Sequence, residues 1–148
     1  MTDPLNINIP LAGVETSMPV LPQANYDMQI PKAQVEPNKD KTGFNLVVSF
    51  ATTQPATSLD GREVKPGFPC TGYFPLQAKE DAKDPEFFRT KLSELLDAAF
   101  HTDKTSRPAL TNESIGQLIG KIVRVTLRVE NKPDGTPGNS IGRLQKAV

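Results

Sequence analysis

This chain is poor in the residues that usually announce chemistry: its 148 positions hold one cysteine, one histidine, two tyrosines and no tryptophan. A single cysteine, Cys70, cannot close an internal disulfide, and no second cysteine or histidine cluster stands near it to hold zinc. Neither a disulfide scaffold nor a metal module is expected, and a reducing cytoplasm is the simplest home. Net charge is also missing, with 17 Lys and Arg against 17 Asp and Glu. The molecule as a whole therefore exerts no pull on nucleic acid or an acidic membrane, and any such pull must come from local segregation. No stretch approaches the roughly 20 apolar residues needed to cross a bilayer, and the N-terminus lacks the basic start and apolar run of a signal peptide. Asn112-Glu113-Ser114 then matches a glycosylation acceptor only by chance.

Charge is segregated along the chain. From Lys121 onward six bases stand against two acids, whereas Lys79 to Asp103 carries four bases against seven acids. Residues 1 to 24 contain Pro4, Pro10, Pro19 and Pro22 with only Asp3 and Glu15 charged. Prolines at that spacing exclude a regular helix and leave an extended arm. It is either a loosely packed terminus or a segment whose Leu5, Ile7, Ile9, Leu11 and Val20 lie along a neighbouring subunit.

Periodic structure begins at Tyr26. Tyr26, Met28 and Ile30 alternate with polar residues until Pro31, after which Ala33 and Val35 resume on the opposite parity, the mark of a strand bent by a bulge. The turn formers Pro37 to Gly43 lead to a second strand, with Phe44, Leu46, Val48 and Phe50 on its core face. Arg62 to Phe74 is broken by Pro66-Gly67 and Pro69 and reads as an edge strand or two short pieces. Asp84-Pro85-Glu86 then signals a helix start. Phe88, Leu92, Leu95, Leu96 and Ala99 form its apolar stripe, and Phe100 joins the core aromatics. Pro108 ends the helical region except for a short turn over Glu113 to Leu118. Lys121 to Glu130 alternates strictly, Val123, Val125, Leu127 and Val129 opposing Arg124, Thr126, Arg128 and Glu130. After the flexible turn Asn131 to Asn139, Ser140 to Ala147 returns as a last strand.

Three strands, one long helix and two strands make a mainly β chain with the layout of a five-stranded OB-type barrel, the helix between strands three and four. Residues 25 to 148 form that domain behind the arm 1 to 24. Catalysis finds no support. His101 sits at the helix end without a nucleophile and orienting partner, Glu80-Asp81 reads as solvated surface, and Cys70 reads as a small apolar filler. Gly116 to Lys121 fails as a phosphate loop: it has three residues between its glycines rather than four, and Ile122 stands where a metal-binding hydroxyl is needed. Gly120 is better read as the turn that admits the fourth strand.

Tyr26, Tyr73 and Phe74 lie on strands of uncertain parity, where in an OB barrel they form a platform for stacked bases. Arg124 and Arg128 share an outward face, and Lys39, Lys41 and Lys132 fall in the hairpin loops that flank an OB cleft. The pattern Tyr26-Asp27-Met28-Gln29-Ile30, Lys41-Thr42-Gly43, Leu46 to Phe50, Asp60-Gly61-Arg62, Ile119-Gly120-Lys121 and Asn139-Ser140-Ile141 resembles a group of small phage-encoded proteins from replication and recombination modules. That resemblance covers roughly residues 25 to 145. It implies a non-sequence-specific single-stranded DNA-binding protein, in the host cell cytoplasm if phage-encoded. The chain departs from it in its longer, proline-rich arm and in lacking the acidic tail that bacterial single-strand-binding proteins use to recruit partners. The alternative expectation is a structural or assembly protein that uses the barrel and the arm for protein contacts, including a homo-oligomer.

Overall fold

A computed structural model describes residues 7–13, 18–78 and 83–147. They form strands β1 (Ala24–Pro37), β2 (Phe44–Thr52), β3 (Ala56–Thr57), β4 (Glu63–Val64) and β5 (Pro69–Pro75). Helices α1 (Phe87–Phe100) and α2 (Asn112–Leu118) follow, then strands β6 (Ile122–Asn131) and β7 (Pro137–Lys146). The protein is mainly β. Five strands make one antiparallel sheet in the order β5-β2-β1-β6-β7, and β3 and β4 form a separate small hairpin. No ladder joins the outer strands, so the sheet is not closed into a barrel, although Cα atoms of β5 and β7 approach within 8 Å.

Two bulges let the alternating pattern bury the right side chains. On β1, Gln29 pairs with Ala51 and Lys32 with Ser49, so Ile30 and Pro31 together oppose Phe50. The bulge sits where Pro31 breaks the alternation, as its missing donor requires. On β7, Leu144 pairs with Val125 and Ile141 with Leu127, so Gly142 and Arg143 oppose Thr126. Without the extra residue, Ile141 and Leu144, three positions apart, would fall on opposite faces.

The core lies between the concave face of the sheet and the helices. Met28, Ile30, Leu46, Val48, Phe50, Val123, Val125 and Leu127 from the strands are fully buried, and Leu92, Leu95, Leu96, Ala98 and Ala99 of α1 and Leu118 of α2 pack against them. Phe88 and Phe100 border that core. Phe44 departs from the expected stripe and is 53 % exposed. It opens β2 opposite Pro37, at the far end of β1, beyond the reach of the core.

The helix starts are made differently from expectation. Asp84 Oδ1 accepts from the Glu86 amide and its carbonyl from the Phe87 amide, so Asp84-Pro85-Glu86 is a turn and α1 begins at Phe87 without a side-chain cap. A carboxylate that folds onto the amide two residues ahead is no longer free to cap the helix. His101 closes α1 in the left-handed conformation at φ 54°, its amide donating to Asp97 O. α2 is short but properly capped. The Ser114 amide donates to Thr111 Oγ1 and the Thr111 amide to Ser114 Oγ, which gives Ser114 a structural role. Gly120, at φ 91°, makes the turn into β6, its amide donating to Ile30 O at 2.7 Å.

The arm is not loose along its whole length. Leu21 is fully buried, and Asn139 grips its backbone from β7: Asn139 Nδ2 donates to Leu21 O and Oδ1 accepts from the Leu21 amide, both at 2.8 Å. Val20 O accepts from the Leu59 amide, and Tyr26 Oη donates to Pro22 O, each at 2.7 Å. The exposed part of the arm is earlier, where Ile7, Ile9 and Leu11 are 74, 68 and 71 % exposed. Leu5, Glu15 and the Glu80-Asp81 pair lie outside the described residues.

Candidate functional site

An open concavity of about 980 Å³ runs between α1, the loop after it and β7, with Arg128 of β6 among its lining residues. Seven cationic side chains and four carboxylates line it. The carboxylates are largely spoken for. Asp97 is clasped by Arg107 through both oxygens, at 2.9 and 2.7 Å, and also accepts from Thr102. The Arg107 hydrogen bonds hold its carboxyl below the usual range, against a smaller opposing effect of burial. Glu86 pairs with Arg89, and Glu94 with Lys91. Glu94 also accepts from the Leu144 amide at 2.7 Å, tying α1 to β7. Asp103 receives hydrogen bonds from Thr105, foremost, and Ser106, which bring its pKa down to about 2. Four cations remain without an ion-pair partner among the described residues: Lys104, Arg128, Arg143 and Lys146.

The bulge on β7 makes this arrangement. It turns Gly142 and Arg143 outward together, and the guanidinium arm of Arg128 crosses the strand where Gly142 has no side chain. A Cβ on Gly142 would stand 2.8 Å from Arg128 Nε and 2.9 Å from Thr126 O, so only glycine leaves Arg128 its course.

At the other side of Lys91 the groove continues into a second cavity of about 500 Å³ over the seam between β5 and β7, where Tyr73 and Phe87 stand. Tyr73 is 66 % and Phe87 56 % exposed, and Lys91 Nζ lies 5.8 Å from the Phe87 ring centre. Cations and open aromatic faces thus share one continuous surface.

Of the eight residues singled out from the sequence, Arg128, Tyr73 and Phe74 line these two cavities. Arg124 stands opposite Asp27 in the β1–β6 register and is tied to it, Nε to Oδ1 at 3.0 Å, so much of its charge is already answered. Phe74 is not an open stacking face: pairing with Leu46 turns it to the core, 6 % exposed, and it reaches only the wall of the second cavity. Tyr26 is half-buried with its hydroxyl bound to Pro22, and burial foremost raises its pKa. Lys39 and Lys41 lie beyond the C-terminal end of β1. Lys132 lies beyond the C-terminal end of β6, which runs antiparallel to β1, so the two loops stand at opposite ends of the sheet. Lys132 lines a separate hollow with Leu59, Asp60 and Asp134.

Lys104, Arg143, Lys146 and Phe87 were missed by sequence reasoning. The basic bias after Lys121 was the only signal for two of them, and nothing local marks the packing of α1 beside β7. Cys70 borders the core, and burial pushes its thiol up to about 11, which keeps it protonated and inert. Among the described residues no three of His, Cys, Asp and Glu are grouped to hold a metal ion, and no helix is long and apolar enough to cross a membrane. Comparison of the sequence with models of known protein families and with curated proteins finds no match.

Proposed function

We propose that the chain is an OB-type protein that binds single-stranded DNA without sequence preference. Counting the five long strands in chain order, the sheet runs third, second, first, fourth, fifth, with the third and fifth facing each other and the helices between the third and fourth. The same strand order, closed at its last seam, is what an OB barrel has, and this supports the reading. The observation that carries the function is the groove: four unpaired cations, Lys104, Arg128, Arg143 and Lys146, beside two exposed aromatic rings. Cations alone would serve any polyanion. Open ring faces add affinity only for bases that are themselves unstacked, which a duplex does not present.

The test is fluorescence anisotropy of labelled single-stranded and duplex oligonucleotides over a salt series. Four phosphate contacts at about 0.7 ions each predict a slope of about −3 in log affinity against log salt, or roughly a 50-fold loss between 50 and 200 mM. Replacing Arg128 and Arg143 by Gln halves that slope, whereas Arg124→Gln leaves it nearly unchanged. No binding at low salt, or equal affinity for duplex, defeats the proposal.

The exposed Ile7, Ile9 and Leu11 favour a second reading, an assembly protein whose arm lies on another subunit. Changing all three to Ser and measuring molar mass by light scattering decides it. A monomer before and after the change removes that reading.

A further inference from the structure

Resting on the DNA reading above, we infer that the seam between β5 and β7 is a pocket for one base turned out of the strand. Three independent features meet there. The two strands run side by side without a ladder, leaving a cavity of about 500 Å³, within the usual range for small-molecule sites. Tyr73 from β5 and Phe87 from α1 stand at its rim with more than half of each side chain open to solvent. Ser140 of β7 lines the same cavity, and its hydroxyl oxygen is buried with no hydrogen-bond partner, the one such side-chain atom among the described residues.

A buried hydroxyl without a partner is costly, and it is satisfied by a ligand that brings a donor or an acceptor. Both are present on the edge of every nucleobase, and a rotating serine hydroxyl can serve either. The aromatic rims offer the π-face that a flat heterocycle needs. Lys91 borders both this cavity and the cationic groove, which gives the phosphate next to the captured base a place to sit. The pocket therefore selects for unstacked bases while tolerating all four, and the phosphates on either side follow the groove.

The test uses the full chain with three oligonucleotides of equal length: oligo-dT, oligo-dA, and a strand carrying consecutive abasic sites. Wild type should bind the abasic strand more weakly than oligo-dT, by a factor between about 5 and about 150 for one lost stack. The double variant Tyr73→Ser with Phe87→Ser should bind oligo-dT as weakly as wild type binds the abasic strand, at an unchanged salt slope. Ser140→Ala, a change of one buried atom, should weaken oligo-dT and oligo-dA alike by several-fold. If these variants keep wild-type affinity for oligo-dT while the Arg128 and Arg143 variants lose it, the pocket is refuted and the groove survives. If wild type binds no strand at any salt, both readings fall. Unchanged far-ultraviolet spectra and cooperative urea unfolding of the variants exclude misfolding as the cause of a loss.

Discussion

Asn139 decides whether the segment before β1 belongs to the fold. Its side chain holds the amide and the carbonyl of Leu21, 118 positions away in sequence, as a neighbouring strand would. Leu21, so held, is wholly inside the core. Replacing Leu21 by Ala should cost about 2 to 5 kcal/mol, the usual range for a large aliphatic removed from a packed core. Asn139→Ala removes the two hydrogen bonds to Leu21, worth about 0.5 to 1.5 kcal/mol each, and a longer one to Arg128 O, and it releases the segment, so that part of the Leu21 burial is lost with them, for a total of about 2 to 3 kcal/mol. The two losses overlap because either change undocks the same segment. The double variant should therefore be more stable than the sum of the single effects predicts, by about 1 kcal/mol or more. Urea unfolding of the four proteins measures this directly, and amide exchange at Leu21 should speed up in Asn139→Ala while exchange in the middle of β2 does not. Additivity within about 0.5 kcal/mol, or a Leu21→Ala loss below about 1 kcal/mol, would show that the segment is not docked as described.

Three further perturbations probe other parts of the molecule. Asp97→Asn breaks the clasp with Arg107 and should cost about 1 to 2 kcal/mol at pH 7. Because the folded pKa of Asp97 is depressed, its contribution is present above the unfolded value near 4 and lost as pH falls through the folded one, so the gap between wild type and variant in thermal melts should begin to narrow below about pH 4 and close only below the folded value. Lys41→Gly relieves a non-glycine residue at φ 58° and should stabilise by about 1 kcal/mol, seen as a higher Tm, without altering DNA affinity, since Lys41 lies off the groove. Gly142→Ala should destabilise by about 1 to 3 kcal/mol through contact with Thr126 O, and should lower the salt slope of DNA binding because Arg128 is pushed aside; an unchanged slope would remove Arg128 from the phosphate path.

Much of the fold can be read along the chain because it follows local periodicity. Leu46, Val48 and Phe50 on β2, and Val123, Val125 and Leu127 on β6, are buried as strict alternation requires, and Pro31 marks its own bulge. What escapes such reading depends on tertiary pairing. Ile141 and Leu144 look out of phase until the bulge at Gly142 and Arg143 is known, so the outward turn of Arg143 leaves no periodic trace. Asn139 looks like the last residue of a turn, yet its side chain serves as a ladder partner for Leu21. Phe74 and Tyr73 are neighbours of similar type, and only the pairing of β5 with β2 assigns one to the core and the other to solvent.

The same dependence explains why the candidate surface differs from the one that charge along the chain suggests. The acidic stretch around α1 and the basic C-terminal strands pack side by side, which by composition alone should neutralise both. Local pairing prevents it. Glu86 and Glu94 are engaged by Arg89 and Lys91 of α1, and Asp97 by Arg107 in the loop that follows. Asp103 is occupied by the hydroxyls and amides of Thr105 and Ser106. Each acid has a partner within about ten positions of itself, so Arg128 and Arg143 arrive from β6 and β7 without an ion pair, and Lys146 meets only the more distant charge of Asp97. Arg124 meets the opposite fate, because the β1–β6 register sets Asp27 directly across from it. Asp27→Asn should therefore free a cation that does not itself line the groove. If single-strand affinity then rises as much as a new cation inside the groove would raise it, the binding path runs over the face of β1 and β6, and the groove beside α1 is not the site.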